Sequence, residues 1–195
     1  MSTKNLLVEL FVEELPPKAL KKLGESFAGT LLASLKAQGL VAADATVTPF
    51  ASPRRLGAHV GAVSAKAADR AVQQKLMPVA VALDASGAAT PALLKKLAAL
   101  GADAAVVPTL KRAMDGKAEA LFLDSLVPGA TLAEGLQRAL DEALAKLPIP
   151  KVMSYQLEGG AGVRPGWTTV HFVRPAHGLV ALHGVEVVPI SVLGL

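Results

Sequence analysis

The chain opens on an apolar run, Leu6-Leu7-Val8-Glu9-Leu10-Phe11-Val12, broken only by Glu9. A short run rich in Val and Phe predicts a strand covered on both faces. The period then changes: Leu20, Leu23, Phe27, Leu31 and Leu35 recur at spacings of three and four, one face of a helix over 17–38. Pro16 and Pro17 suit a first helical turn, which has no use for the donor they lack. Glu13 and Glu14 complement the helix dipole, and Gly39 stops the helix. Val47 to Phe50 reads as a short strand and Leu56 to Val63 as a second, with Ser52-Pro53-Arg54-Arg55 bending the chain into a hairpin.

Residues 64–75 are polar and mixed in charge. Leu76 to Leu83 is strand-like, and Pro78 places it at a sheet edge. Asp84 to Gly87 is a turn, and Thr90-Pro91 starts a helix that runs through Leu93, Leu97 and Leu100 to Gly101. Val106 to Leu110 and Ala118 to Leu126 read as strands joined around Asp115-Gly116. Thr131 with Glu134 forms a capping box for a helix over 131–147, which Pro148 and Pro150 end. After a Gly-rich link from Gly159 to Gly166, the clearest hinge in the chain, strands are expected near 168–174 and 179–192.

Strands and helices in this irregular order, without steady βαβ alternation, predict an α+β fold of mostly antiparallel sheet with about three packed helices. Two lobes are expected. Residues 1–65 with 151–195 form a sheet-bearing core in which the first and closing strands share a sheet, and 66–150 form an inserted α+β lobe.

Composition narrows the class. Hydrophobic residues make up 52% of the 195 and mean hydropathy is +0.44, but no apolar stretch reaches the ~18 residues of a membrane helix. There is no cysteine, which removes disulfides and thiolate metal sites. Met1-Ser2-Thr3-Lys4 leads straight into strand-like sequence, so a cytoplasmic protein is the expectation. Net charge is +4, and residues 1–66 hold 8 basic against 5 acidic side chains. No basic block exists, so any contact with nucleic acid must use a few placed residues.

Phosphate-loop, dinucleotide, zinc-protease and nucleophile-elbow motifs are missing from the sequence. His171, His177 and His183 are six apart, a spacing that fits no helical metal pair. No catalytic, cofactor or metal residue is therefore expected. Arg54 and Arg55 read either as a solvated turn or as guanidinium forks for phosphate or carboxylate. Arg174 and His177 read either as a hydrogen-bonded turn or as a contact to a partner. A free-standing binding or hydrolytic domain built on that second pair is the alternative function, and it requires the two side chains to share a pocket with a carboxylate.

Several strings carry a resemblance. Glu13-Glu14-Leu15-Pro16-Pro17-Lys18-Ala19-Leu20, then Phe50-Ala-Ser-Pro53-Arg54-Arg55-Leu56, then Pro148-Ile-Pro150-Lys151-Val-Met153, and finally Phe172-Val-Arg174-Pro-Ala-His177-Gly-Leu-Val-Ala-Leu182 are similar, in order, to the beta subunit of bacterial two-subunit glycyl-tRNA synthetase. Two positions depart from the usual pattern: Ser154-Tyr155 stands where that family has Arg-Trp, and Gly178 where it has Trp. The resemblance implies an N-terminal fragment of a longer subunit that works with an alpha subunit in an α2β2 heterotetramer. It implies that the class II aminoacylation centre, with its ATP and Mg, lies on the alpha subunit, so this chain alone should be inactive. It also implies tRNA(Gly) as a partner, with Arg54, Arg55, Lys151, Arg174 and His177 as candidate contacts to tRNA or to the alpha subunit.

Overall fold

A computed structural model describes residues 3–84, 86–115, 118–159 and 163–195. In chain order the elements are β1 (Thr3–Val12), α1 (Leu20–Ala37), β2 (Val47–Ser52), β3 (Arg55–Ser64), β4 (Arg70–Pro78), the single turn α2 (Val79–Ala82), α3 (Pro91–Ala99), a 3₁₀ segment (Ala104–Thr109), β5 (Lys111–Asp115), β6 (Ala118–Val127), α4 (Leu132–Ala145), β7 (Met153–Gln156), β8 (Thr169–Phe172), β9 (Ala176–His183) and β10 (Glu186–Val187). The fold is α+β with antiparallel pairing throughout the described strands. It divides into two compact units, residues 1–68 with 129–195 and residues 69–128.

The first unit is built on a five-stranded sheet in the order β10-β9-β1-β3-β2. The opening strand thus sits at the centre, paired with β3 on one side and β9 on the other. Leu6, Val8, Leu10 and Val12 are fully buried on one face, with Leu56, Ala58 and Val60 of β3 beside them. Leu23, Phe27, Leu31 and Leu35 of α1 join this core, as do Leu136, Ala139 and Leu140 of α4. The expectation that both faces of β1 are covered needs correction. Leu7, Glu9 and Phe11 lie on the opposite face and are only half-buried, because the helices form a single layer.

Helix α1 also begins later than its prolines imply. Pro16 to Ala19 make a separate turn in which Ala19 N–H donates to the Pro16 carbonyl at 2.9 Å. The helix therefore starts at Leu20 with no acidic residue in its first turn, and Glu13 and Glu14 do not serve its dipole. Its end follows the sequence. Gly39 has φ +73°, Gly39 N–H donates to the Lys36 carbonyl at 3.0 Å, and Leu40 N–H reaches the Leu35 carbonyl at 3.0 Å. This paired closure requires a left-handed residue at Gly39.

Helix α4 belongs to the first unit, not to the insert where a boundary at 150 would place it. Its buried face of Leu132, Leu136, Leu140 and Ala143 packs with α1 in the main core, so the two chain crossings lie side by side, with Ala67 N–H on the Ala130 carbonyl at 2.9 Å. The cap is as expected: Glu134 N–H donates to Thr131 Oγ1 at 3.3 Å, and Thr131 N–H donates to the Glu134 carboxylate at 3.0 Å. Those bonds, first from the Thr131 backbone and then from its hydroxyl, hold the Glu134 carboxyl below its ordinary pKa. A depressed carboxyl stabilises the fold above the ordinary Glu range, and that contribution is lost as pH falls through the folded value. Thr131→Ala should cost about 1 kcal/mol in urea unfolding at neutral pH. Its deficit relative to the parent should shrink in acid, once the carboxylate is protonated in both.

The expected closing strands rearrange. β9 pairs with β1, but β8 pairs only with β7 in a separate two-stranded ribbon. Beyond β9 only Glu186–Val187 are strand, because Pro189 has no N–H to continue the ladder. Residues 160–162 of the expected hinge lie outside the described residues.

The second unit is a three-stranded sheet, β4-β6-β5, with Leu76, Leu121 and Leu123 packed on Leu93 and Leu97 of α3. Thr90 Oγ1 caps α3 by accepting from Leu93 N–H, and Gly101, φ +73°, follows its end. β4 is an edge strand but starts at Arg70, earlier than its apolar residues indicate, and Pro78 ends it. Val106 to Leu110 is not a strand. The Asp103 carboxylate accepts from Ala105 N–H at 2.9 Å and opens the 3₁₀ segment, which contains Pro108. β5 and β6 pair around the Asp115-Gly116 hairpin signal, with Asp115 opposite Ala118, while Gly116 itself lies outside the described residues.

Candidate functional site

Three connections meet at one end of the five-stranded sheet: the segment after β1, the Pro53-Arg54 turn between β2 and β3, and the Val173–Pro175 segment before β9. Backbone bonds lock them together. Val12 N–H donates to the Arg54 carbonyl at 3.1 Å, Leu15 N–H to the Pro53 carbonyl at 2.6 Å, and Glu13 N–H to the Pro175 carbonyl at 2.9 Å. The hairpin has Pro53 and Arg54 as its central pair, and neither has a positive φ. The mirror-image turns that follow strand twist are therefore not used. The turn's carbonyls instead face the Glu13-Glu14-Leu15 corner, where Leu15 is 1% exposed and pins the loop to the core.

The structure separates the two adjacent arginines. Arg55 leads β3 opposite Phe11. Its Nη1 donates to Glu9 Oε1 at 3.0 Å, and its guanidinium carbon lies 4.5 Å from the centre of the Phe11 ring. That carboxylate bond plus cation–π stacking fixes the side chain. Arg54 sits at the turn, and its nearest ionic partner, Glu14 Oε1, is 3.7 Å from Nη2 with both side chains about 70% exposed. An exposed pair at that distance holds a side chain weakly.

His177 lies in the bulge where β9 slips against β1, with its ring centre 6.5 Å from that of Phe11. Gly178 stands opposite Phe11, and a Cβ there would come within 3.2 Å of the ring. The small residue at this departure from the usual pattern leaves room for the Phe11 ring, which has Arg55 over its face and the tilted His177 ring beside it. At the other departure, Tyr155 accepts a hydrogen bond from Ala176 N–H at 3.2 Å and steadies the start of β9.

Glu9, Phe11, Phe50, Arg54, Arg55 and His177 line an open cavity of about 470 Å³ on the outer face of the sheet. Arg174 is not among its lining residues. Nε of Arg174 donates to the Glu14 carbonyl at 2.9 Å, and Nη1 donates to the Val173 carbonyl and contacts Met153 Sδ, each at 3.0 Å. Arg174 is thus a clamp, and the cavity that His177 lines does not include it, which counts against the shared pocket that a hydrolytic domain requires. Lys151 is exposed in the bend before β7, also outside the cavity. The other three histidines are dispersed: His59 is half-buried in β3, His183 is buried against the Val63 carbonyl at 2.8 Å, and His171 Nδ1 pairs with Ser154 Oγ at 2.9 Å.

Glu9, Phe11 and Phe50 are site residues that sequence reasoning passed over. The available signal was parity. Alternate positions of β1 and β2 share the face that Arg55 leads, and Glu9 interrupts an apolar strand for that reason.

The strings that meet at this corner are widely separated in the chain, and a family model described as glycyl-tRNA synthetase beta subunit matches residues 6–195. The chain belongs to this family. It is 78% identical over its whole length to the glycine–tRNA ligase beta subunit of Leptothrix cholodnii, 73% to that of Paracidovorax citrulli and 70% to that of Polaromonas naphthalenivorans. It covers 26%, 28% and 28% of those relatives, and so spans about a quarter of a glycyl-tRNA synthetase beta subunit. Among the described residues of this family member, no helix is long and apolar enough to cross a membrane.

Proposed function

We propose that this chain is a tRNA-holding module of a cytoplasmic glycine–tRNA ligase. It would grip the tRNA(Gly) backbone at the corner of the sheet while an alpha subunit, using ATP and Mg, attaches glycine in an α2β2 class II enzyme. The observation that supports this most is Arg54, an exposed and weakly held guanidinium lining a cavity to which two of the family's strings contribute Phe50, Arg55 and His177. Turn cations on a rigid hairpin reach phosphates without ordering a long segment. The chain's modest net charge of +4 limits it to few phosphates, so binding by the chain alone is weak. On this reading the isolated chain makes no glycyl-adenylate.

Assembly is the second reading, favoured by Leu7, Val180 and Leu182, which share the half-exposed outer face of the sheet. One experiment separates the two. In complexes reconstituted with alpha subunit, Arg54→Ala should weaken binding of all tRNAs alike, because phosphate contacts carry no base identity, and should reduce the salt slope by about 1. Unchanged tRNA affinity together with loss of alpha subunit in gel filtration would transfer the corner to assembly.

A further inference from the structure

The outer-face cavity has features that a backbone grip does not use. Phe50 points into it from an edge strand and is 49% exposed, an unusual place for a large ring. Across the pairing, Phe50 faces Gly57, and Gly57 faces Glu9 on the far side. Gly57 adds no side chain between them but is itself buried, and the shallow trough is lined by Phe50, Ala51, Ser52 and Arg54 from β2 and its turn and by Glu9, Phe11, Arg55 and His177 from the neighbouring strands. Phe11, with Arg55 stacked on it, forms the far end, while His177 and Arg54 stand at the rim. The Glu9–Arg55 bond holds one hydrogen-bonding edge in place, with Glu9 only 18% exposed.

We propose that this trough takes the base of a single unpaired RNA nucleotide, stacked on Phe50, with the adjoining phosphate on Arg54. This rests on the tRNA-holding reading and sharpens it from the backbone to one base. A sheet face that offers an aromatic ring beside a cation is the common physical solution for unstacked bases, since every base has a π face. Glu9 adds a preference: its carboxylate accepts from the exocyclic amino group that adenine, guanine and cytosine each present and uracil lacks. An open cavity of about 470 Å³ is of a size to take one nucleotide.

The test uses the 195-residue chain with fluorescent single-stranded hexaribonucleotides, the same strands made abasic at every position, and intact tRNA. Phe50→Ala should lose about tenfold affinity for the normal strand and none for the abasic one, and Phe50→Trp should restore it. An unshifted thermal melt would show that Phe50→Ala has not acted through folding. If Phe50→Ala binds as the parent does while Arg54→Ala is weakened, the base site is wrong and the backbone grip stands. If the parent binds tRNA but no single strand, the outcome is the same. If the parent binds neither RNA, both readings fall. Release of the alpha subunit by Phe50→Ala in the reconstituted complex would mark the trough as a protein interface and overturn the proposal.

Discussion

Phe27→Ala should lower the stability of the chain by about 3–5 kcal/mol, the largest effect of any single truncation considered for this molecule. Phe27 is the largest fully buried side chain, in the middle of the α1 stripe and within the single core shared by the sheet, α1 and α4. Aromatics make up only 4% of the chain, and small residues supply much of that core: Ala28, Ala58, Ala139, Ala143 and Ala181 all belong to it. In a close-packed core made mostly of leucines, valines and alanines the vacated space is only partly refilled, and the cavity cost is added to the lost transfer energy. Trp167→Ala is the control. At 85% exposed, Trp167 should change stability by less than about 0.5 kcal/mol despite its size. Urea unfolding followed by far-UV circular dichroism reads both. Equal effects from the two variants would mean that the core is not organised around α1.

The strongest patterns in the sequence mapped directly onto structure because each has one local cause. The 3–4 spacing of α1, the Thr131–Glu134 box and Thr90 as a cap need no knowledge of distant residues. What could not be read locally went astray in recognisable ways. β4 from Arg70 to Lys75 is exposed along its length, so no apolar alternation announces it, and only its pairing with β6 makes it a strand. Val106 and Val107 favour a strand by composition, but the Asp103 cap commits the backbone to a 3₁₀ turn first. α4 looked like part of the insert because position in the chain was the only guide. Its partner, α1, is about a hundred residues earlier. The candidate site was half legible for the same reason. Arg54, Arg55 and His177 stand out as motif residues, whereas Glu9, Phe11 and Phe50 join them only through strand register. Arg174 stands out equally well, but its role depends on a carbonyl 160 residues away in sequence.

That role leads to the second large effect. Arg174→Ala should cost about 1.5–3 kcal/mol, the range for hydrogen bonds made by a charged group. The guanidinium joins three segments at once: the corner after β1 through the Glu14 carbonyl, its own connection through the Val173 carbonyl, and β7 through Met153. Truncation leaves the Glu14 carbonyl without this donor and releases one of the ties on the corner, although Glu13 N–H still reaches Pro175. The loop from Glu13 to Pro17 should then be cut faster by protease under native conditions, because local opening exposes backbone that the clamp had held. Arg174→Lys keeps the charge but supplies a single point donor in place of a planar fork, so it should recover less than half of the loss. His177→Ala, on the cavity side, should leave the melting midpoint almost unchanged, since His177 is exposed and makes only a ring contact with Phe11. The reverse result would be equally informative. If Arg174→Ala melts like the parent but binds tRNA less tightly with a shallower salt slope, Arg174 is a phosphate ligand, and the corner is held by its backbone bonds alone.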